Sequence, residues 1–263
     1  EMCIRDSYVS MNQDSINVDL DLNDLKLRLK NIRKILINEH QSLFLDQLDD
    51  LILKVEIFGY HFATLDIRQD SRIHSYVFNK IIKKIKPNKF NNYTRSKYIE
   101  KSNFLSSIHG DFKPSFFSDE LVSSTLGSIR AMQKIQKSNG ESGCHRYIIS
   151  NNQTAINILE VFTMFKISGW KKNTFDIIPL FETISDLDIA VEIMDKIYSN
   201  DAYREHLSFR NNEQTIMLGF SDGTKDGGYL TANWKILTAK EKLTRVSRKH
   251  KIKVKFFDGR GGP

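Results

Sequence analysis

Residues 214–228, QTIMLGFSDGTKDGG, place a carboxylate and an ammonium three residues apart behind a short apolar run. Residues 215–220 have the length and composition of a buried strand. They open into Ser221, Asp222, Gly223, Thr224, Lys225 and Asp226, then Gly227 and Gly228. A strand fixes position and the loop behind it exposes groups to a ligand. Asp222 is a hard oxygen ligand suited to a divalent cation. Lys225 is a point charge suited to an anion. The glycines let the backbone approach a ligand closely. Taken alone, the stretch reads first as a solvated turn with an internal ion pair.

Other segments have the same form, an apolar run and then a charged or polar residue. Residues 175–181 (FDIIPLF) end in Glu182, and residues 252–257 (IKVKFF) end in Asp258, Gly259, Arg260, Gly261 and Gly262. Residues 59–67 (GYHFATLDI) end in Arg68, and residues 147–150 end in Asn151 and Asn152. Segments of helical period lie between them. In parallel α/β proteins ligands bind beyond the carboxyl ends of the strands. Glu182 and Asp222 would then meet Arg68, Lys225 and Arg260 at one rim. Two carboxylates and three cations suit metal-assisted chemistry on a small, multiply charged anion.

Six blocks carry these residues: LDIRQDS (65–71), YIIS (147–150), PLFETISDL (179–187), YREH (203–206), MLGFSDGTKDGG (217–228) and FDGRGG (257–262). In sequence and order they resemble the phosphoenolpyruvate carboxylase family. The resemblance implies a reaction that joins phosphoenolpyruvate to bicarbonate, giving oxaloacetate and phosphate, with Mg²⁺ or Mn²⁺. Bicarbonate takes the phosphoryl group, and the enolate attacks the carbon dioxide released from carboxyphosphate. On this resemblance Glu182 and Asp222 match the metal ligands. Arg68, Lys225 and Arg260 match the cations that offset charge on the substrates, with Gly259 and Gly261 beside them. Many family members have His where Asp258 stands, so Asp258 is not given that role. The family's catalytic His and a second arginine-glycine block have no counterpart here.

The resemblance further implies a cytoplasmic enzyme that assembles as a homotetramer, of which this chain is an internal piece expected to be inactive alone. Two other readings share some features. One is a different metal-dependent barrel enzyme using phosphoenolpyruvate; the other is a basic nucleic-acid-binding or scaffold protein.

The elements that must position these residues follow from periodicity. Apolar stripes over residues 21–36 and 44–55 read as two helices facing a core. A first strand spans 60–67, placing Arg68 just past its end. A helix over 73–86 is stopped by Pro87, and the polar residues 88–103 read as a surface connection. A long helix covers 118–137, and SNGESG (138–143) a loop. A second strand covers 146–150, and a helix over 154–167 ends at Gly169. A third strand covers 176–181, where Pro179 suggests a bulge aiming Glu182. Ser185 with Asp188 reads as the cap of the next helix. After the fourth strand a helix covers 231–248, and a fifth strand leads to Gly259. The expected fold is α/β, a partial parallel TIM-type barrel with long, helix-rich connections over residues 20–263. Residues 1–19 read as a disordered or foreign leader, 1–7 as an assembly scar.

Composition excludes other classes. Forty per cent of residues are apolar and 27% charged, as in ordinary globular domains. No apolar run approaches the ~18 residues of a membrane span, and no signal peptide is evident. Two cysteines, Cys3 and Cys144, make no disulfide framework and point to a reducing compartment. The net charge of +7 raises nucleic acid as a partner. The densest basic run, Arg245, Arg248, Lys249, His250, Lys251, Lys253 and Lys255, straddles a helix end and a strand and reads as a solvated face.

Overall fold

The structure, a computed structural model, describes residues 21–259, without the side chains at 90–92, 221–223 and 226. The expected leader, Arg260 and Gly261 lie outside the described residues. The chain divides into two compact units, Glu1–Leu65 with Met132–His145, and Asp66–Ala131 with Arg146–Pro263.

In the first unit, helices α1 (Leu22–Glu39) and α2 (Leu45–Phe58) pack as a hairpin. Arg33 donates two hydrogen bonds to Asp49 across it, at 2.7 and 3.0 Å. The two stripes were expected to face a core. Leu29 is buried, but α2 buries no residue, and Ile32 and Leu51 are exposed. Two paired helices cover only the residues that face each other, so the rest of each stripe stays open.

The second unit is built on five parallel strands in the order of the sequence: β1 (Asp66–Asp70), β2 (Arg146–Ser150), β3 (Asp176–Phe181), β4 (Glu213–Gly219) and β5 (Lys253–Gly259). The sheet is not closed, since β1 and β5 are its two ends. Between β1 and β2 run α3 (Ser71–Ile85), α4 (Pro87–Arg95), α5 (Tyr98–Ser106) and α6 (Glu120–Asn139). Then come α7 (Ala155–Ile167) after β2, α8 (Ile184–Tyr198) and α9 (Asp201–Phe209) after β3, and α10 (Ser221–Lys249) after β4.

Several expected boundaries move. Residues 60–65 are turn and bend, and β1 begins at Asp66, opposite Arg146. Arg68 therefore sits inside the strand, not past it. Pro87 does stop α3, but it also opens α4, because the first helical position needs no N–H. The polar segment after it is helical, as α4 and α5, rather than a surface connection. Pro179 pairs in step with Ile149, so the expected bulge is absent. β3 pairs with β2 through residue 179 and with β4 from residue 180. The missing N–H thus falls where the ladder changes sides. Ahead of that point the buried Gln214 side chain donates to the Ile177 carbonyl at 2.9 Å.

Helix starts show the same local logic. Thr154 caps α7 in a reciprocal box with Asn157. The cap of α8 is Thr183 with Asp186, two residues before the expected Ser185 and Asp188. The stretch expected to be a loop, residues 221–227, is the opening of α10, which bends at Gly228 (φ 78°, ψ 163°). Thr224 Oγ1 donates back to the Phe220 carbonyl at 2.8 Å, closing that first turn. Small polar residues suit a helix start as well as a loop, so composition alone does not separate them.

The strands have two distinct faces. One carries Tyr147, Ile149, Ile177, Phe181, Ile216 and Leu218, all buried under the helices. The other carries Ile148, Ile178 and Leu180, packed with Met217 and Phe257. At the amino ends, Arg146 bonds Asp66 and Arg210 bonds Asp176, both at 2.7 Å, and Lys255 bonds Glu213 at 2.5 Å. The basic run near the carboxyl terminus is largely exposed, with Lys249 and His250 paired to Asp195. Cys144 is buried and free. Among the described residues no helix is long and apolar enough to cross a membrane.

Candidate functional site

Side chains two apart on a strand share a face. Arg68 lies opposite Ile148, and Ile148 opposite Ile178. Glu182 follows Leu180 in the same alternation, one residue beyond β3. Both therefore project from the face that carries Met217 and Phe257. Arg68 Nη2 donates to Glu182 Oε1 at 2.5 Å, although 114 residues separate them. Asn151, just past β2, donates its N–H to Glu182 Oε2 at 3.3 Å. The carboxylate is thus held from β1 and from the end of β2. Its side chain keeps 19% exposure and Arg68 keeps 48%, so both remain open to a ligand.

The backbone around Glu182 is fixed by a residue the sequence reading did not single out. Asp186 is buried, and its Oδ2 accepts from the N–H of Glu182 at 3.1 Å and of Thr183 at 3.0 Å. Its Oδ1 accepts from Gln153 Nε2 at 2.6 Å. Gln153 in turn donates to Asn151 Oδ1 at 3.2 Å. The Thr183-to-Asp186 spacing is a capping-box signal, which could have pointed to it.

Glycine makes room at this rim. A Cβ on Gly219 would stand 3.1 Å from the Glu182 Cα, tighter than ordinary contacts allow. Gly219 and Gly259 end β4 and β5 side by side in register. Phe220 N–H reaches the Gly259 carbonyl at 3.4 Å.

The other expected residues are placed less completely. The Asp222 backbone lies in the first turn of α10, after the carboxyl end of β4, and its side chain lies outside the described residues. Lys225 is exposed on the next turn. Arg260 and Gly261 lie outside the described residues. Asp258 has the opposite parity to Phe257 and faces the helical layer, where Lys240 of α10 pairs with it at 2.7 Å. An acid at this position is therefore neutralised by a partner away from Glu182. Asn152 is fully buried, and neither of its amide atoms has a hydrogen-bond partner among the described residues.

Could these residues hold a divalent metal? Among the described residues no three His, Cys, Asp or Glu side chains cluster to do so. Mg²⁺ takes only one or two carboxylates and keeps several waters; of the two expected carboxylates, Glu182 is the one whose side chain is described.

Residues 8–263 match the family model described as phosphoenolpyruvate carboxylase. The chain belongs to the phosphoenolpyruvate carboxylase family. It is 35% identical over 253 residues to the phosphoenolpyruvate carboxylase of Nitrosomonas europaea, covering 92% of this chain and 26% of that protein. The phosphoenolpyruvate carboxylase of Gloeobacter violaceus is 31% identical over 225 residues, 82% of this chain and 24% of the other. The chain thus spans about a quarter of the length of the curated relatives it matches. In this chain the Arg68–Glu182 pair joins the LDIRQDS and PLFETISDL blocks, which are far apart in sequence.

Proposed function

We propose that this chain supplies part of the substrate site of an enzyme that carboxylates phosphoenolpyruvate with bicarbonate, giving oxaloacetate and phosphate. The observation that carries the reading is the meeting of Arg68 and Glu182 on one face of a parallel sheet, at its carboxyl-terminal side. We extend it to a partial eight-stranded barrel, with five sequential parallel strands as the part present. From the family alone we extend it to a cytoplasmic homotetramer.

In this reading Glu182 and Asp222 hold Mg²⁺ or Mn²⁺. When bound, the metal supplies Lewis-acid stabilisation of negative charge on the substrate oxygens. Arg68 acts as a fixed cation for the phosphoryl group or carboxylate of phosphoenolpyruvate, and Glu182 sets its direction. Lys225 and Arg260 add positive charge for the same anions. Such preorganised cations lower the barrier because they need no reorganisation as charge moves. Gly219 lets Glu182 pack against the end of β4, and Gly259 does the same for Met217 at the end of β5.

Asp222→Asn tests the metal assignment. In a family-length polypeptide carrying this segment, Mn²⁺ affinity is expected to fall about tenfold or more, because a charged hard ligand becomes neutral. Titration of Mn²⁺ followed by electron paramagnetic resonance reads it directly. Equal affinity in both forms sinks the assignment.

The 263-residue chain by itself is expected to produce no oxaloacetate. It spans about a quarter of the length of its relatives and its sheet is open among the described residues, so groups that the rest of a family-length protein supplies are absent from the site. An assay with phosphoenolpyruvate, bicarbonate and Mg²⁺ is the measurement. Turnover near that of a family-length relative would overturn the expectation.

A further inference from the structure

Away from the Arg68–Glu182 pair, a cleft of about 590 Å³ opens in the helical layer among α3, α4, α5, α7 and α8. Its deepest charged group is Glu160 of α7, 3% exposed. Tyr93 Oη donates to one carboxylate oxygen at 2.6 Å and Ser75 Oγ to the other at 2.7 Å. Each oxygen can accept more than one hydrogen bond, so both retain capacity. Asn79 lines the same cleft, and its Oδ1 is buried with no hydrogen-bond partner. A buried acceptor left without a donor destabilises the fold around it. Asn79 Oδ1 thus calls for a donor, and Glu160 has capacity to accept a further one.

The charge balance narrows the class. Lys196 at the mouth is bonded to Glu192 at 2.6 Å. Lys101 lies over the Tyr93 ring at 5.3 Å and attracts Glu160. No charge at the cleft lacks an opposite, so nothing there selects an ion. Burial pushes the Glu160 carboxyl up, while the hydrogen bonds from Tyr93 and Ser75 and the charge of Lys101 pull it down. A hydroxyl both donates and accepts, so it pairs with this carboxyl in either protonation state. An ammonium suits only the ionised form. Part of the remaining wall is apolar, from Ile156, Ile189 and Ile193, and part is polar, from Gln153, Thr154 and Asn157. Apolar walls with a few polar groups are usual for small-molecule clefts of this size.

We propose that this cleft binds a small uncharged polyhydroxylated molecule of monosaccharide size. Its hydroxyls meet Glu160 and Asn79, and its carbon-bound hydrogens lie against the isoleucines. The cleft does not involve the residues assigned to phosphoenolpyruvate, so the proposal stands apart from that reading.

Ligand-observed saturation-transfer NMR and titration on the 263-residue chain test it, with D-glucose and myo-inositol as probes, and putrescine and sulfate as charged controls. Expected is transfer to a neutral polyol and none to the charged controls. Asn79→Leu is expected to weaken that binding about tenfold, since the donor of the polyol loses its acceptor. Ile189→Trp fills the cleft from a half-buried position and is expected to abolish it. Circular dichroism checks that both variants keep the helical signal. Absence of transfer to both polyols overturns the proposal. So does binding that neither substitution changes, or a preference for putrescine or sulfate.

Discussion

Replacing Glu182 by Gln in a family-length polypeptide is expected to cut kcat by about 10²–10³, the range seen when one preorganised charge partner is removed. Stability is expected to change by no more than about 1 kcal/mol, because the pair it forms is substantially exposed. The two expectations have different origins. Arg68 keeps 48% exposure, so water replaces much of what Glu182 gives it. Gln preserves the shape and still accepts from the Asn151 N–H, which Glu182 meets at 3.3 Å. What Gln cannot do is balance the guanidinium at 2.5 Å or serve as a charged hard ligand. Arg68 then loses its direction, and a divalent cation loses one of its few protein ligands. Chemical denaturation and steady-state kinetics on the same preparation separate the two effects. Unchanged turnover would remove Glu182 from the site. A large loss of stability would show that the pair is structural first.

Asp186→Ala is expected to destabilise the 263-residue chain by about 3 kcal/mol, the largest stability effect foreseen. Asp186 is 1% exposed and accepts three hydrogen bonds, from the Glu182 and Thr183 N–H groups and from Gln153. Alanine leaves these donors without their acceptor and strips the cap of α8. A cap alone contributes about 1 kcal/mol, and each buried orphan adds about 1–3 kcal/mol. Water reaching Gln153, which is exposed, relieves part of that cost. Asp186→Asn keeps an oxygen for the backbone donors and is expected to recover roughly half of the loss. Urea unfolding followed by circular dichroism compares the three proteins. A loss below about 1 kcal/mol for the alanine variant would mean that the donors find other partners. In a family-length enzyme the same change is expected to lower turnover beyond its effect on folding. It frees the backbone that aims Glu182.

What the sequence by itself determined is what near neighbours decide. Apolar runs bounded by polar residues located β2 and β3 at their observed limits, since a buried strand needs a continuous apolar segment and little else. The long helices were legible from their stripes, and Gly169, at φ 76°, ends its helix as a left-handed glycine can. The alternation of such runs with charged residues picked out Arg68 and Glu182, and the blocks around them carried the family.

The tertiary structure decided what depends on residues far apart. The limits of β1 follow from pairing with β2, which moved Arg68 from beyond the strand into it. Parity across β5 turned Asp258 toward Lys240 and away from the face of Phe257, and a shift of one residue would have reversed it. The cap of α8 fell on Thr183 because Asp186 could there bind both its own helix start and Gln153. Glu160 meets Ser75 and Tyr93 across 85 and 67 residues, so no local pattern announces the cleft they line. Local propensity is set within a few residues, but register, facing and charge partnership are set by whichever chain packs opposite, and only the folded chain fixes that choice.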